Sequence, residues 1–433
     1  MKNKHWLNLS AVVVLGTIFV VGCGTGTANA TGQAASQKSG SSQGGKTADP
    51  VTITFYEAMS SAQGKELQKL TDAFHQQNPN INVQLVFTGS YTTQQQKLTA
   101  AIAAKKPPTM AQVEDTWETQ YYDNDLLDPV QDLIPQSTID DLMPIWKQDN
   151  SYDGKLVSVP FNKSDYILMY NTDDFKKAGI SAPPKTWNEL EQDAIKLTQK
   201  AGVPGLGMQA DYYTFEMLME QAGGDVLTSD NKQAAFNSQA GKDALNLMNQ
   251  IANKDKAAKV ISGNAYLSDG FNTNEYAMDL DTVASLSFIT NKNIHFKTAP
   301  LPQGVKAAVP TAGTNLVVFN GATDAQKQAA GKYINFLISD KNTIDWAEAT
   351  GYLPVRQSAL KDPSWTSFIQ QNPNDATGPN ELSNAYFSPR IGSLSSAITE
   401  ETTQVGNFMS GKQDAATTLG NMANDVNQAL AGQ

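Results

Sequence analysis

Few side chains in this sequence are placed for covalent chemistry. Of its three histidines, His5 lies in an N-terminal apolar segment, His75 near the end of a helical pattern, and His295 in an alternating run. Neither His75 nor His295 has a serine, cysteine or second histidine at a motif spacing, so a solvated or hydrogen-bonded structural role is expected for each. There is no Gly-x-Ser-x-Gly, no P-loop and no His-Glu-x-x-His. Paired carboxylates can hydrolyse glycosides, and Glu114-Asp115 and Asp279/Asp281 are the candidates. As neighbours on one loop or strand, neither pair can face itself across a sugar, and each needs a partner from elsewhere. The one cysteine, Cys23, follows Val20-Val21-Gly22 and an apolar run over 11–21 with Lys2 and Lys4 ahead of it. That is a lipoprotein signal: cleavage before Cys23 and a diacylglycerol thioether on its sulfur. Once acylated, Cys23 leaves no thiol for a disulfide, a nucleophile or a metal site. No cofactor is implied.

What remains is binding chemistry, and the elements that position it alternate. Residues 51–56 form an alternating strand and 62–77 an amphipathic helix with Leu67, Leu70, Ala73 and Phe74 on one face. A second strand over 81–87, a second helix ending at Pro107-Pro108 and a third strand over 109–113 follow. Strand–helix alternation at this spacing predicts a parallel α/β sheet whose ligand edge is the carboxyl end of its strands. Tyr56-Glu57, Gly89-Ser90-Tyr91 and Glu114-Asp115 occupy that edge.

Residues 155–171, KLVSVPFNKSDYILMYN, mark a change of lobe. Val157 and Val159 alternate with polar neighbours, Pro160 is expected to break the ladder, and 166–170 form an apolar run suited to a buried strand. A strand leaving one sheet and another entering a second sheet make a hinge beside a cleft. The alternative is one sheet with a kinked edge strand.

The N-terminal 1–22 therefore read as a signal peptide and 23–50 as a lipidated tether without apolar periodicity. Its roughly 27 residues after Cys23 reach about 26–31 Å. Removing the signal takes Lys2 and Lys4 and no acid, leaving 30 basic against 43 acidic side chains, net −13. An acidic surface without a basic run argues against nucleic acid as a partner. The remaining length favours two lobes.

The runs VTITFYEAM, AFHQQNPNINVQL, GSY, AAKKPPTMAQVED, PFNKSDYILMYNTDDFKKAG, PPKTWNEL, NEYAMDLDTVASL and EATGYLPVR together resemble family 1 extracellular solute-binding proteins. These are maltose-binding-protein-like receptors of bacterial ATP-driven (ABC) importers. The resemblance runs from about residue 51 to the C-terminus. It implies an α/β fold of two lobes, 51–159 plus 312–355 and 160–311 plus 356–433, with a ligand cleft between them. The pattern is nearest to the glycerol-3-phosphate and glycerophosphodiester receptors. On that resemblance Tyr91, Asp115 with Glu114, Ser164, Gly313 and Tyr352 meet the ligand. Two departures stand out. Ala210 and Tyr213 replace a tryptophan pair, and Ile398 stands eight residues past Arg390, where the phosphate arginine is expected. Without that cation a phosphate loses its charge-assisted clamp, and Arg356 or Arg390 are the substitutes on offer.

In the second lobe, helices are expected over 187–200, 239–253, 395–409 and 415–430, and a return strand over 314–320 is expected to lead back into the first lobe. Tyr213 either packs or stacks on ligand, and Trp117 is ligand face or scaffold. Asp281 and Thr282 open a helix whose free N–H groups either face ligand or are simply capped. Aromatic faces at Tyr91, Trp117, Tyr213 and Tyr352 suit the apolar faces of a sugar or polyol, and the carboxylates its hydroxyls. The sequence thus reads as a lipid-anchored, monomeric receptor at the outer face of the cytoplasmic membrane, delivering a carbohydrate or polyol to permease subunits. A glycerophosphate ligand is the alternative within the family; a surface glycosidase or an adhesion lipoprotein lie outside it.

Overall fold

Two long strands, Val159–Asn171 and Val309–Phe319, carry the architecture. The computed structural model of the chain describes residues 50–263 and 265–431. Cys23, the signal and the tether to residue 49 lie outside the described residues.

The long strands run antiparallel, pairing from Thr311↔Asp165 to Leu316↔Val159. On one side the return strand continues antiparallel to Met110–Val113, which lies parallel to Val51–Glu57, itself parallel to Ile81–Phe87. The expected alternation fills the gaps with helices Ser61–Gln77 and Tyr91–Ala103. On the other side, the apolar end of the first long strand pairs antiparallel with Met278–Thr282 and with Phe296–Ala299. Met278–Thr282 then runs parallel to Leu206–Gln209, which is parallel to Ala258–Ile261. The result is a two-lobed α/β fold in which both lobes share the central strands.

Each half has its own apolar core. The first gathers Phe55, Leu67, Phe74, Trp146, Tyr333 and Trp346, and the second Phe175, Leu197, Phe215, Phe236, Met248 and Met422. The helices expected in the second lobe are Trp187–Ala201, Gln239–Asn249, Leu394–Met409 and Ala415–Ala431. Thr186 and Glu189 close a reciprocal capping box on the first of these.

One expectation fails in an instructive way. Pro160 does not end a strand: Val159–Asn171 is continuous, and Pro160 pairs with Asn315. The register shifts between Thr314 and Asn315, and a proline is tolerated at such a bulge because the ladder there is already interrupted. Gly313 sits beside the shift with φ +108°, and a Cβ on it would lie 1.9 Å from the Asn162 carbonyl oxygen. Only glycine lets the two strands approach this closely. Gly313→Ala should therefore destabilise the protein by about 1–3 kcal/mol or more, measured by urea unfolding. An unchanged midpoint would mean the bulge relaxes freely.

Candidate functional site

The carboxyl ends of the first-half strands supply one wall of the candidate site. Ser90 caps helix Tyr91–Ala103 by accepting from Thr93 N at 3.2 Å, which fixes Tyr91 at the first turn. Asn162, on the shared strand, donates to the Tyr91 hydroxyl at 2.9 Å and accepts from Gln112 at 3.0 Å and from Thr314. Tyr352 shares this network through Asn162, Tyr91 and Gln63. Its ring is buried, stacked 6.0 Å from Trp346, which stacks in turn on Phe161. Tyr91 and Tyr352, far apart in sequence, thus converge on one amide.

Behind this wall lies an ionic network that sequence reasoning missed. Lys163 is fully buried; its ammonium donates to Asp115 at 3.0 Å and to Asp149 at 3.1 Å, and lies over the Trp146 ring. Asp115 also accepts from Asn315 at 2.7 Å, and the same amide donates to Glu118 at 2.6 Å. Ser158 donates to Glu118 at 2.5 Å. Burial pushes the Glu118 carboxyl up to about 8 despite these donors, with Asp115 adding to it. Asp115 is therefore held from behind by the hinge strands while its side chain stays 26% exposed. Glu114, one residue earlier, is the half-buried carboxyl at the surface of this wall. Burial and Asp115 push it up to about 7.

The opposing wall comes from the second half. Asp211 caps helix Tyr212–Gln221 by accepting from Thr214 N at 2.9 Å. Tyr213 follows on its first turn with its ring 44% exposed. Burial raises the Tyr213 hydroxyl well above its ordinary value, and Glu114 is the largest charge acting on it. Tyr166 is also raised by burial, and the charges acting on it are Asp211, Asp281, Glu216 and Glu114. Glu114, Tyr166 and Tyr213 therefore lie within electrostatic reach of one another where the two halves meet. Tyr166 sits in an apolar run, and nothing in its local pattern distinguishes it from core.

Other expected residues fall elsewhere. Trp117 is 3% exposed and packs edge-on to Tyr91 at 6.4 Å within an apolar cluster, so it is scaffold beneath a site tyrosine. Ser164 is buried opposite Ala312 in the shared ladder, and Gly313 serves the strand crossing. Asp281 and Thr282 do not open a long helix. Only the six-residue 3-10 helix Val283–Phe288 follows, and Thr282 N donates to Asp281 itself at 2.7 Å. Asp279 is fully buried with neither oxygen hydrogen-bonded, which keeps it from facing a substrate.

The two arginines offered as substitutes are held by groups of the protein itself. Arg356 pairs with Asp141 at 2.7 Å and with Asp340 at 3.6 Å. Arg390, between the short strand Ala385–Tyr386 and helix Leu394–Met409, crosses to the first half. It donates to the Asp149 and Ser151 carbonyls at 2.7 and 2.6 Å and lies over the Tyr152 ring. Ile398 packs on the second-half core.

This architecture belongs to a known class. Residues 69–374 match the bacterial extracellular solute-binding protein model, and the chain belongs to that family. It is a solute-binding receptor of the kind that serves ABC importers. One relative is the sn-glycerol-3-phosphate-binding periplasmic protein UgpB of Rhizobium meliloti, 25% identical over 88% of this chain and 94% of that protein. UgpB from Mycobacterium tuberculosis in complex with glycerophosphocholine superposes with a TM-score of 0.80 at 24% identity, covering 88% of this chain and 99% of that one. The acarbose-binding GacH receptor of Streptomyces glaucescens also reaches 0.80, at 22% identity over 88% and 99% of the two chains.

Glu118, Asp165 and Asp149 keep their protons to higher pH folded than unfolded, reaching about 8, 8 and 6 from ordinary values of 4.5, 3.8 and 3.8. Across that window the folded state binds more protons, so stability falls as pH rises. The melting temperature is expected to drop between pH 5 and pH 8.5, and Glu118→Gln should lessen the drop. A melting temperature that climbs over this range would contradict the assignment.

Proposed function

We propose that the cleft captures a carbohydrate or polyol rather than a phosphate dianion, and hands it to the permease subunits of an importer. The observation that carries this reading is the state of the cations. Lys163 is enclosed between Asp115 and Asp149, while Arg356 and Arg390 are held by acceptors of the protein itself. At the position where the resembling receptors keep their phosphate arginine, Ile398 is packed into the second-half core. The walls instead offer tyrosine rings, an amide network and carboxyls, which suit hydroxyls and the apolar faces of a sugar ring. The solute draws the halves together by binding the closed arrangement more tightly than the open one. In this reading the lobes divide as 51–159 with 312–355 and 160–311 with 356–433. Cys23 carries the lipid that holds a monomeric receptor at the membrane. No helix among the described residues is long and apolar enough to cross one.

A thermal-shift panel of sugars, polyols, glycerophosphodiesters and glycerol-3-phosphate tests the ligand class, since ligand at 100 times its Kd stabilises by about 2.7 kcal/mol. Sugars or polyols are expected to shift the melt. Tight binding of glycerol-3-phosphate that weakens steeply with salt would overturn the reading. Tyr213→Ala should weaken binding of the responding solute by about 1 kcal/mol, with a smaller loss in the unliganded melt because nearly half of the residue is exposed. Stability lost without affinity would make Tyr213 scaffold. Cys23→Ala should release the protein from the membrane fraction with its fold intact; a variant that still pellets has another attachment.

A further inference from the structure

Beside the cleft, two carboxyl groups are buried with no cation to match them. Glu401, on helix Leu394–Met409, is 1% exposed, and its Oε1 has no hydrogen-bond partner. Glu216, on helix Tyr212–Gln221, is equally enclosed and accepts from Ser388 Oγ at 2.6 Å. Glu401 is the one charged group lining a small cavity otherwise walled by Val226, Leu394, Ile398 and Val426 with Thr116, Tyr212, Ser388 and Pro389 at its edge, with room for a group about the size of one water molecule. Thr116 follows Glu114 and Asp115, and Tyr212 precedes Tyr213. The cavity is thus bounded by the same two elements that carry the cleft residues.

The charges around it are acidic. Glu401 is acted on by Glu216 from one helix and Asp425 from another. Glu216 is acted on by Glu220, whose own partner is Lys306 at 3.2 Å. The Tyr386 hydroxyl, under the influence of Glu216 and Glu220, is itself without a hydrogen-bond partner. A buried carboxylate without a cation is costly, so such a group holds its proton to higher pH. Burial pushes Glu216 up to about 7 and Glu401 to about 8.

The occupant that answers this environment is small, positively charged and rich in donors. A hydroxyl brings one donor and no charge, so the carboxyls would remain protonated around it. A phosphate brings only acceptors and a like charge. A primary ammonium is close to a water molecule in size and offers three N–H donors, one of which satisfies Glu401 Oε1. We propose that this cavity is an ammonium subsite, and that the solute is a sugar or polyol bearing a primary amine whose nitrogen sits beside Glu401 with Glu216 behind it. The proposal rests on the polyhydroxy-solute reading above and narrows it. Entry of the ammonium lets the carboxyls ionise, so a proton is released on binding. Affinity for the amine then rises with pH as long as the amine itself stays protonated.

Calorimetry with matched pairs provides the test: glucose and glucosamine, galactose and galactosamine, sorbitol and 1-amino-1-deoxysorbitol. Within a pair that binds, the amine is expected to bind at least about tenfold more tightly, worth about 1.4 kcal/mol. For 1-amino-1-deoxysorbitol against sorbitol, that ratio should grow from pH 6 to pH 8. Titrations in two buffers of different ionisation enthalpy should show proton release from the unaltered protein on binding the amine and not its neutral counterpart. Glu401→Gln should bring the ratio towards one. Neutral members that bind as well as their amines, or the absence of differential proton release, overturn the subsite and leave the proposed function standing. If no member of any pair binds, both readings fall together. The proton-release arm uses the native sequence, so it decides even if Glu401→Gln does not fold.

Discussion

An ammonium ion sealed away from water holds this protein's two central strands and its cleft wall in register. Lys163 belongs to the strand both halves share, Asp115 opens the helix at the cleft edge, and Asp149 closes a helix of the first half. Desolvating one cation and two carboxylates costs several kcal/mol per ion, and the loss is recovered only when geometry and further hydrogen bonds are good. Here Asn315, on the return strand, supplies the further bond to Asp115 and ties Glu118 into the same cluster. Both hinge strands are thereby fastened to the segment that presents Glu114. Removing any one member strands the others in a dry interior, so the site cannot be edited from behind without disturbing the hinge.

Much of the fold was legible because local periodicity reports burial. The first three strands and their helices follow the alternation, and the helix starting at Trp187 is announced by its capping box. The placement of Tyr91 and Glu114 just past the carboxyl ends of their strands was also legible, because strand–helix alternation fixes where each strand stops. Lys163 was not. In Pro-Phe-Asn-Lys-Ser-Asp a run of polar residues looks like an exposed irregular step, yet all six are buried. Their partners lie far off in sequence: Gln112 and Tyr91 for Asn162, Asp115 for Lys163. A pattern read along the chain cannot see compensation supplied from across it.

Other groups are hidden for the same reason. Glu118 and Glu216 sit on helices where charge normally faces solvent, but the return strand, through Asn315, covers the first, and the segment bearing Ser388 covers the second. Trp117 follows two acids at a strand end and suits either a ligand face or scaffold; in the structure it is buried and supports Tyr91. Pro160 reads as a breaker until the bulge opposite it is seen. Residue type fixed what each group can do, while exposure, set by elements remote in sequence, decided which of them do it.

Arg390 adds a kinetic dimension. Its acceptors on the first half are two backbone carbonyls and the face of the Tyr152 ring, and the carbonyls carry no titrating charge. The Asp149 carboxyl feels the same guanidinium. Separation of the halves must first peel a guanidinium from a ring and two carbonyls, whether or not a solute lies between them. In the proposed hinge motion that step slows every opening, so the strap lengthens the dwell time of an enclosed solute and holds back the solute-free form alike.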